Sequence, residues 1–129
     1  MRILVVEDDP TSIKIMSKML QSFGDVDLVA DGATAVKLFE SSLSGRLYDV
    51  VFLDIMLPEM DGQEVLKSIR LKEEKRGILG SDGVKVIMTT ALDDSRNIMQ
   101  AFRSQCEGYL VKPISRDKIV EQFRKLNLL

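Results

Sequence analysis

The sequence predicts an α/β fold in which helices cover both faces of a parallel β-sheet. Five short apolar segments rich in β-branched residues alternate with five segments whose apolar residues recur at helical spacing. The strand-like segments lack the alternation of half-buried strands, and the strongest of them, at residues 50–53, contains no polar residue. Strands that alternate with helices form right-handed βαβ units, and such units build a doubly wound sheet.

Each strand-like segment is followed by a helix-like segment, and several of these have recognisable start or stop signals. Asp9 directly before Pro10 is typical of a helix start, and Gly24 is typical of the end of that helix. Asp31 and Gly32 predict a turn before the second helix. The predicted strands occupy residues 3–6, 27–30, 49–53, 84–88 and 109–111, and the apolar residues of the predicted helices lie within 13–23, 35–43, 65–69, 98–102 and 119–126.

Length and composition indicate one domain and argue against several classes of function. With 129 residues and a formal net charge of -2, the chain is expected to form one domain over residues 1–129 and lacks the basic excess of a nucleic-acid binder. No apolar run approaches the roughly 20 residues that span a bilayer, and no signal peptide is recognisable, so a cytoplasmic location is expected. The absence of histidine excludes Ser-His-Asp catalysis and His-ligated zinc. The single cysteine, Cys106, is predicted to be a buried apolar residue.

Polar side chains of complementary chemistry follow four of the predicted strands. Acidic residues follow the first and third strands, hydroxyl residues end the fourth, and a lysine follows the fifth. Because the carboxyl ends of parallel strands meet at one edge of a sheet, these side chains are expected to converge there. They are Glu7, Asp8, Asp9, Asp54, Thr89, Thr90 and Lys112.

Such a cluster of carboxylates needs a compensating cation. Neighbouring carboxylates raise one another's pKa unless positive charge lies among them. A small number of hard oxygen ligands suits Mg²⁺, which keeps several waters and accepts phosphate oxygens. Lys112 and a threonine hydroxyl are suitable partners for a phosphoryl group. Asp9 alone has a simpler explanation, because it is placed to cap the first helix.

Four motifs of the chain, taken together, resemble the receiver domain of two-component response regulators. They occur in the family's order and extend from the first predicted strand to the last predicted helix. The resemblance implies five parallel strands in the order 2-1-3-4-5 with five helices on both faces. It also implies a phosphorylation-activated signalling switch rather than an enzyme. The motifs are ILVVEDD at residues 3–9, VFLDIMLPEMDG at 51–62, MTTA at 88–91 and GYLVKPI at 108–114.

The resemblance implies a role for each residue of the expected site. Asp54 would accept a phosphoryl group from the phosphohistidine of a sensor histidine kinase or a phosphotransfer protein. Asp8 and Asp54 would bind Mg²⁺ directly. Met56 would bind the ion through its backbone carbonyl, and Glu7 would bind it through a water molecule. Lys112 would pair with Asp54 and then with the phosphoryl group.

The resemblance also implies an output face. Thr90, preferred to Thr89 because it directly precedes Ala91, would turn its hydroxyl to the phosphoryl group, and Tyr109 would follow it inward. Pro113 would hold the loop of the lysine through a cis bond. The fourth helix, fifth strand and last helix would then bind a downstream protein or a second copy of the chain, without contact to nucleic acid or membrane. The expected residues of this face include Asp94, Met99, Arg103, Lys118 and Gln122.

One segment departs from the family pattern, and two positions that vary within the family are apolar here. Residues 70–84 form a longer connection than most receivers have, and they predict an extended helix followed by a mobile loop. We interpret this connection as a tolerated insertion in preference to a partner-specific surface. Met56 and Leu92 cannot orient a water molecule near the expected phosphoryl group, so slow self-dephosphorylation is predicted.

Other α/β proteins fit the sequence less well. A phosphatase of the haloacid dehalogenase type needs a second aspartate two residues after the first, where Met56 stands. A flavodoxin-like mononucleotide binder needs a Ser/Thr/Gly-rich loop after the first strand, where acids occur. A binding module that is never phosphorylated would not need Asp54 and Lys112. A receiver fragment of a longer response regulator and a Mg²⁺-dependent aspartyl-phosphate phosphatase stay open as alternatives.

Overall fold

Five parallel strands form the sheet of the computed structural model, which describes residues 1–91 and 95–129. The strands are β1 (Arg2–Val6), β2 (Asp25–Val29), β3 (Val50–Asp54), β4 (Lys85–Thr90) and β5 (Gly108–Val111), and they lie in the order β2-β1-β3-β4-β5. The helices are α1 (Pro10–Leu20), α2 (Gly32–Ser42), α3 (Gly62–Lys75), α4 (Ser95–Arg103) and α5 (Arg116–Lys125), and a 3₁₀ turn spans Gly80–Asp82. The predicted fold class and strand order are confirmed.

The helices bury apolar side chains on both faces of the sheet. On one face, Leu20 of α1 and Phe123 of α5 pack in a cluster with Phe52 of β3. On the other face, Phe39 of α2 and Ile69 of α3 pack against the same strands from the opposite side. Burying each of these side chains contributes about 1.5–3 kcal/mol. Because the central strands are covered on both faces, their sequences are continuously apolar instead of alternating.

Side-chain caps set where four of the helices begin. The carboxylates of Asp9, Asp31 and Asp61 each accept a hydrogen bond from the backbone amide three residues further on, at 2.7–3.1 Å. The Ser115 hydroxyl caps α5 in the same way. Asp9 is the cap that the sequence predicted, whereas Asp31, predicted as a turn residue, starts α2 directly. Among the described residues, no helix has both the length and the apolar character needed to cross a membrane.

The ends of several elements differ from the sequence prediction. β2 covers Asp25–Val29 and begins two residues earlier than predicted, because the backbone of Asp25 pairs with Arg2 although its own side chain is exposed. β4 continues to Thr90, so both threonines belong to the strand. α3 begins at Gly62, before its first apolar residue. Main-chain pairing and capping, which apolar periodicity does not report, account for these differences.

The long connection between α3 and β4 is anchored by buried charged groups. Glu73, 3% exposed, accepts hydrogen bonds from the Val84 amide at 2.6 Å and from Arg70 at 2.7 Å. The carbonyl of Glu73 accepts the Ile78 amide at 3.0 Å. Arg70 also donates to the carbonyl of Gln105 at 2.6 Å. The predicted extension of the helix is confirmed, and the segment after it is tied to α3 at both ends.

Cys106 is buried, as predicted. Burial and the nearby charge of Glu107 raise the pKa of its thiol to about 11. The thiol is therefore protonated at neutral pH and contributes to packing, not to chemistry.

Candidate functional site

Three carboxylates from two strands meet at the carboxyl edge of the sheet. Asp54 is the last residue of β3, and Glu7 and Asp8 directly follow β1. One carboxylate oxygen of each residue lies within 4.8 Å of the other two. Glu7 and Asp54 are 3% and 5% exposed, whereas Asp8 faces solvent. The structure therefore brings together the three acids that the sequence assigned to one site.

Lys112 follows β5 and places its ammonium group among these acids. The ammonium group contacts Glu7 Oε1 and lies 3.2 Å from Asp54 Oδ2. Burial and the neighbouring Asp54 raise the pKa of Glu7, although Lys112 opposes the shift. Burial alone would lower the pKa of Lys112, but the two carboxylates outweigh it and raise that pKa. The sequence predicted the pairing of Lys112 with Asp54, and the contact with Glu7 is an additional finding.

The loop after β3 holds the Asp54 carboxylate in place. Its Oδ1 accepts a hydrogen bond from the Met56 amide at 3.0 Å, and its Oδ2 accepts one from Lys112 at 3.2 Å. The Gly62 amide donates to the Ile55 carbonyl at 3.0 Å, which brings the first turn of α3 against the strand end. The sequence interpretation did not assign this role to Gly62, although Gly62 is the last residue of the motif at 51–62 that contains Asp54.

The two threonines at the end of β4 face opposite sides of the sheet. Thr90 shares the face of Met88, on which α2, α3 and α4 pack, because alternate residues of a strand face the same way. Thr89 faces the α1 and α5 side, where it lines a cleft with Lys112. The carbonyl of Thr90 accepts a hydrogen bond from the Lys112 amide at 2.7 Å. Thr90 is thus joined to the lysine through the backbone, while its side chain lies on the α4 side.

Tyr109 lies on β5 on the same face as Thr90 and contacts α4. It is the register partner of Met88, and its ring meets the ring of Phe102 edge-on with 6.2 Å between the centroids. Tyr109, Phe102 and Met99 are 37%, 45% and 56% exposed. The predicted output face therefore carries an exposed apolar patch.

The remaining residues assigned to this face have mixed environments. Arg103 and Lys118 are exposed, and Gln122 is half-buried, with its side-chain amide 3.4 Å from the Tyr109 carbonyl. Asp94, assigned to the same face, and Leu92, expected near the phosphoryl group, lie outside the described residues.

Asp9 and Pro113 occupy the structural positions predicted for them. The Asp9 carboxylate accepts hydrogen bonds from the Ser12 amide at 3.1 Å and the Ser12 hydroxyl at 2.8 Å, and these bonds lower the pKa of Asp9. Asp9 is thus engaged at the start of α1 and is not one of the three clustered acids. The peptide bond between Lys112 and Pro113 is cis.

An apolar cleft of about 370 Å³ is lined in part by Glu7 and Lys112, and the sequence interpretation did not predict it. Ile15 and Met16 of α1 line one side, and Pro113 and Ile114 line the other. Ile15 is 48% exposed, so a large apolar side chain faces solvent next to the site. The signal in the sequence was Ile15 itself, which stands next to the buried stripe of α1.

Comparison with known proteins gives matches over nearly the whole chain. A family model for the response regulator receiver domain matches residues 3–124. The hybrid signal transduction histidine kinase L of Dictyostelium discoideum is 39% identical over 125 residues, which are 96% of this chain. The chemotaxis protein CheY of Listeria monocytogenes is 30% identical, and the match covers 95% of both proteins.

A solved structure shows the same similarity. The receiver domain of the sensor histidine kinase PA1611 from Pseudomonas aeruginosa PAO1, with a magnesium ion coordinated in its active site cleft, is 32% identical with a TM-score of 0.78. That match covers 98% of this chain and 97% of the other. In contrast, the chain spans only 7% of the length of the Dictyostelium kinase.

Proposed function

This chain belongs to the response regulator receiver family, the phosphorylation-activated switches of two-component signalling, and we propose that residues 1–129 act as one such unit with Asp54 as the phosphoryl acceptor. The observation that carries the proposal is the environment of Asp54. Its buried carboxylate ends β3, lies beside Glu7 and Asp8, and is held by Lys112 and the Met56 amide. The matching family is a signalling family and not a dedicated enzyme family, so nothing supports the phosphatase alternative.

We propose Mg²⁺ as the cofactor of this site. Three carboxylates face one ammonium group there, and burial together with the neighbouring Asp54 raises the pKa of Glu7. Oxygen donors of this kind suit Mg²⁺. Asp8 and Asp54 would hold the ion directly, with the Met56 carbonyl and a water on Glu7 completing the protein's share. When bound, Mg²⁺ neutralises charge on the acids and on the phosphoryl group.

The proposed reaction is transfer of a phosphoryl group from a phosphohistidine. A carboxylate oxygen of Asp54 attacks the phosphorus, an O–P bond forms, and the P–N bond breaks so that its electron pair leaves with the imidazole. Lys112 neutralises charge on the transferred group. Thr90 then donates its hydroxyl to a phosphoryl oxygen, and Tyr109 follows toward the sheet.

The apolar cleft lined by Glu7 and Lys112 suits the docking of the phosphodonor, which we propose to be a sensor histidine kinase or a phosphotransfer protein. In-line attack requires the donor histidine to approach Asp54 from the solvent side, so the donor must cover this edge of the sheet. A donor that covers the edge also covers the cleft and buries the half-exposed Ile15. Because such donors derive their phosphate from ATP, we place the chain in the cytoplasm.

The face formed by α4, β5 and α5 is the proposed output surface. Its exposed side chains Met99, Phe102 and Tyr109 form an apolar patch next to the face of Thr90. A change at Thr90 and Tyr109 would alter this patch and its affinity for a downstream protein or a second copy of the chain.

Phosphotransfer from a protein donor tests the acceptor and the docking cleft together. The chain is mixed with an autophosphorylated histidine kinase and Mg²⁺, and the loss of label from the kinase is followed. Asp54→Asn is expected to receive no label, whereas Asp82→Asn, a change at an exposed acid far from the site, is expected to behave like the wild type. Ile15→Ser is expected to slow transfer from the kinase but not from acetyl phosphate, which needs no docking surface. Equal labelling of Asp54→Asn would contradict the proposal.

Hydrogen exchange tests the output face. Exchange is compared between the free chain and the chain bound to Mg²⁺ and beryllofluoride, which imitates a phosphoryl group. Changes are expected in α4, β5 and α5. Changes confined to residues 70–83 would contradict the proposed output surface.

A further inference from the structure

Gln63 links the region of Asp54 to α4. It is the second residue of α3 and is 6% exposed. Its side-chain amide donates a hydrogen bond to the carbonyl of Asn97, in the first turn of α4, at 2.7 Å. The residue before it, Gly62, packs against the backbone of Asp54. A continuous path therefore runs from Asp54 through the first turn of α3 to the first turn of α4.

The other half of the same amide group, the oxygen Oε1, is also buried. Within the part of the chain that the structure describes, Gln63 Oε1 accepts no hydrogen bond. Buried side-chain oxygens are nearly always hydrogen-bonded, and exceptions often have a functional reason. The exception here lies between the two helices that flank the proposed switch.

The two halves of the amide have opposite effects on the docking of α4. A hydrogen bond such as that to Asn97 raises the equilibrium constant for docking of α4 roughly three- to tenfold. A buried acceptor without a donor lowers the same constant roughly five- to a hundredfold. The unfavourable effect is the larger one. Gln63 therefore holds α4 less tightly than an apolar side chain of similar length would. The packing of α4 is also slight, because only Ile98 and Ala101 of its residues are buried.

We propose that Gln63 is a positioning residue that keeps α4 loosely docked on α3, so that the helix can move when Asp54 is phosphorylated. Movement of α4 away from α3 exposes Oε1 to water, which compensates for the lost bond to Asn97. β4 ends at Thr90, which lies on the face of the sheet where Ala101 of α4 packs, so a displacement of Thr90 is expected to alter the packing of this helix. The role in switching rests on the proposed function, but loose docking is a property of the unphosphorylated chain.

Hydrogen exchange of the unphosphorylated protein tests the docking directly. Gln63→Met replaces the amide by an apolar group of similar shape, and Gln100→Met makes the same change at an exposed position of α4. We expect exchange of the backbone amides of residues 98–102 to slow at least threefold in Gln63→Met and to stay unchanged in Gln100→Met. Equal or faster exchange in Gln63→Met would overturn the proposal.

The rate of phosphorylation by acetyl phosphate tests the role in switching. Gln63→Met is expected to be phosphorylated at least threefold more slowly than the wild type, because its α4 moves away from α3 less readily. Slower exchange with an unchanged phosphorylation rate would overturn the switching role. If Asp54 is not the acceptor, its Asn variant is labelled like the wild type while the exchange difference persists, which distinguishes that failure from this one.

Discussion

Gly62 packs so closely against Asp54 that a Cβ atom at position 62 would lie 2.3 Å from the carbonyl oxygen of Asp54. The same added atom would lie 2.7 Å from the Cα atom of Ile55. Both contacts are with backbone, which cannot rotate away as a side chain can. The first turn of α3 therefore fixes the backbone that carries the proposed acceptor.

Gly62→Ala is expected to lower the free energy of unfolding by about 1–3 kcal/mol, as overpacking at rigid positions does. It should also slow phosphorylation by acetyl phosphate, because the loop that holds the Asp54 carboxylate must shift. Urea unfolding and the phosphorylation rate measure the two effects. Gly45→Ala is the control, since an added Cβ there has no heavy atom within 4 Å. Two alanine variants of equal stability would contradict this account.

Asp8 and Asp9 are adjacent in sequence but are expected to respond differently in a Mg²⁺ titration. Asp8→Asn removes a charged ligand from a site with few protein ligands, so the affinity for Mg²⁺ should fall at least about tenfold. Asp9→Asn should leave it nearly unchanged, because Asp9 is bonded to Ser12 and asparagine is also a good helix cap. Calorimetry suits the measurement, since the chain has no tryptophan to report binding. Equal losses in the two variants would argue against the assignment of Asp8.

The raised pKa of Glu7 predicts a pH-dependent cost to stability. Because the pKa of Glu7 in the folded chain lies above its ordinary value of 4.5, the folded state binds the proton more tightly than the unfolded state. The stabilisation from this proton is complete below that ordinary value and is lost as pH rises through the raised pKa. Without Mg²⁺, the Glu7→Gln variant should therefore gain in stability relative to the wild type as pH rises from about 4 to about 8.

Urea unfolding at a series of pH values measures this difference. Mg²⁺ should reduce it at neutral pH, because a bound cation favours the ionised carboxylate. If the difference in the free energy of unfolding between Glu7→Gln and the wild type does not vary with pH, the raised pKa of Glu7 is not its cause.

Sequence patterns predicted the sheet and its reactive edge because the residues concerned are local signals. Continuous apolar segments indicated the central strands, and the polar residues at the ends of four strands had to lie at the shared edge. The contact of Lys112 with Glu7 was not predictable in this way, because it depends on the path of a long side chain between two strands. Ile15 and Gln63 were missed for a similar reason. Ile15 matters because the loop after β5 lies opposite it across the cleft, and Gln63 matters because α4 packs against it. Tertiary packing decides both, and the local sequence does not report it.

The phosphorylated chain is expected to persist for minutes or longer. The side chains of Met56, which is 68% exposed, and Leu92 have no polar group that can orient a water molecule. Orienting the attacking water accelerates a reaction by roughly 10²–10⁴-fold in favourable cases. Met56→Asn combined with Leu92→Glu should shorten the lifetime. The decay of labelled protein after removal of the donor measures it. Decay of the wild type within seconds, or an unchanged rate in the double variant, would refute the explanation.

The most direct test of the central claim is the intact mass of the chain after incubation with Mg²⁺ and acetyl phosphate. The wild type should gain one phosphoryl group that hydroxylamine removes, as expected of an acyl phosphate, and Asp54→Asn should gain none. Labelling of Asp54→Asn to the same extent as the wild type would show that another residue accepts the phosphoryl group.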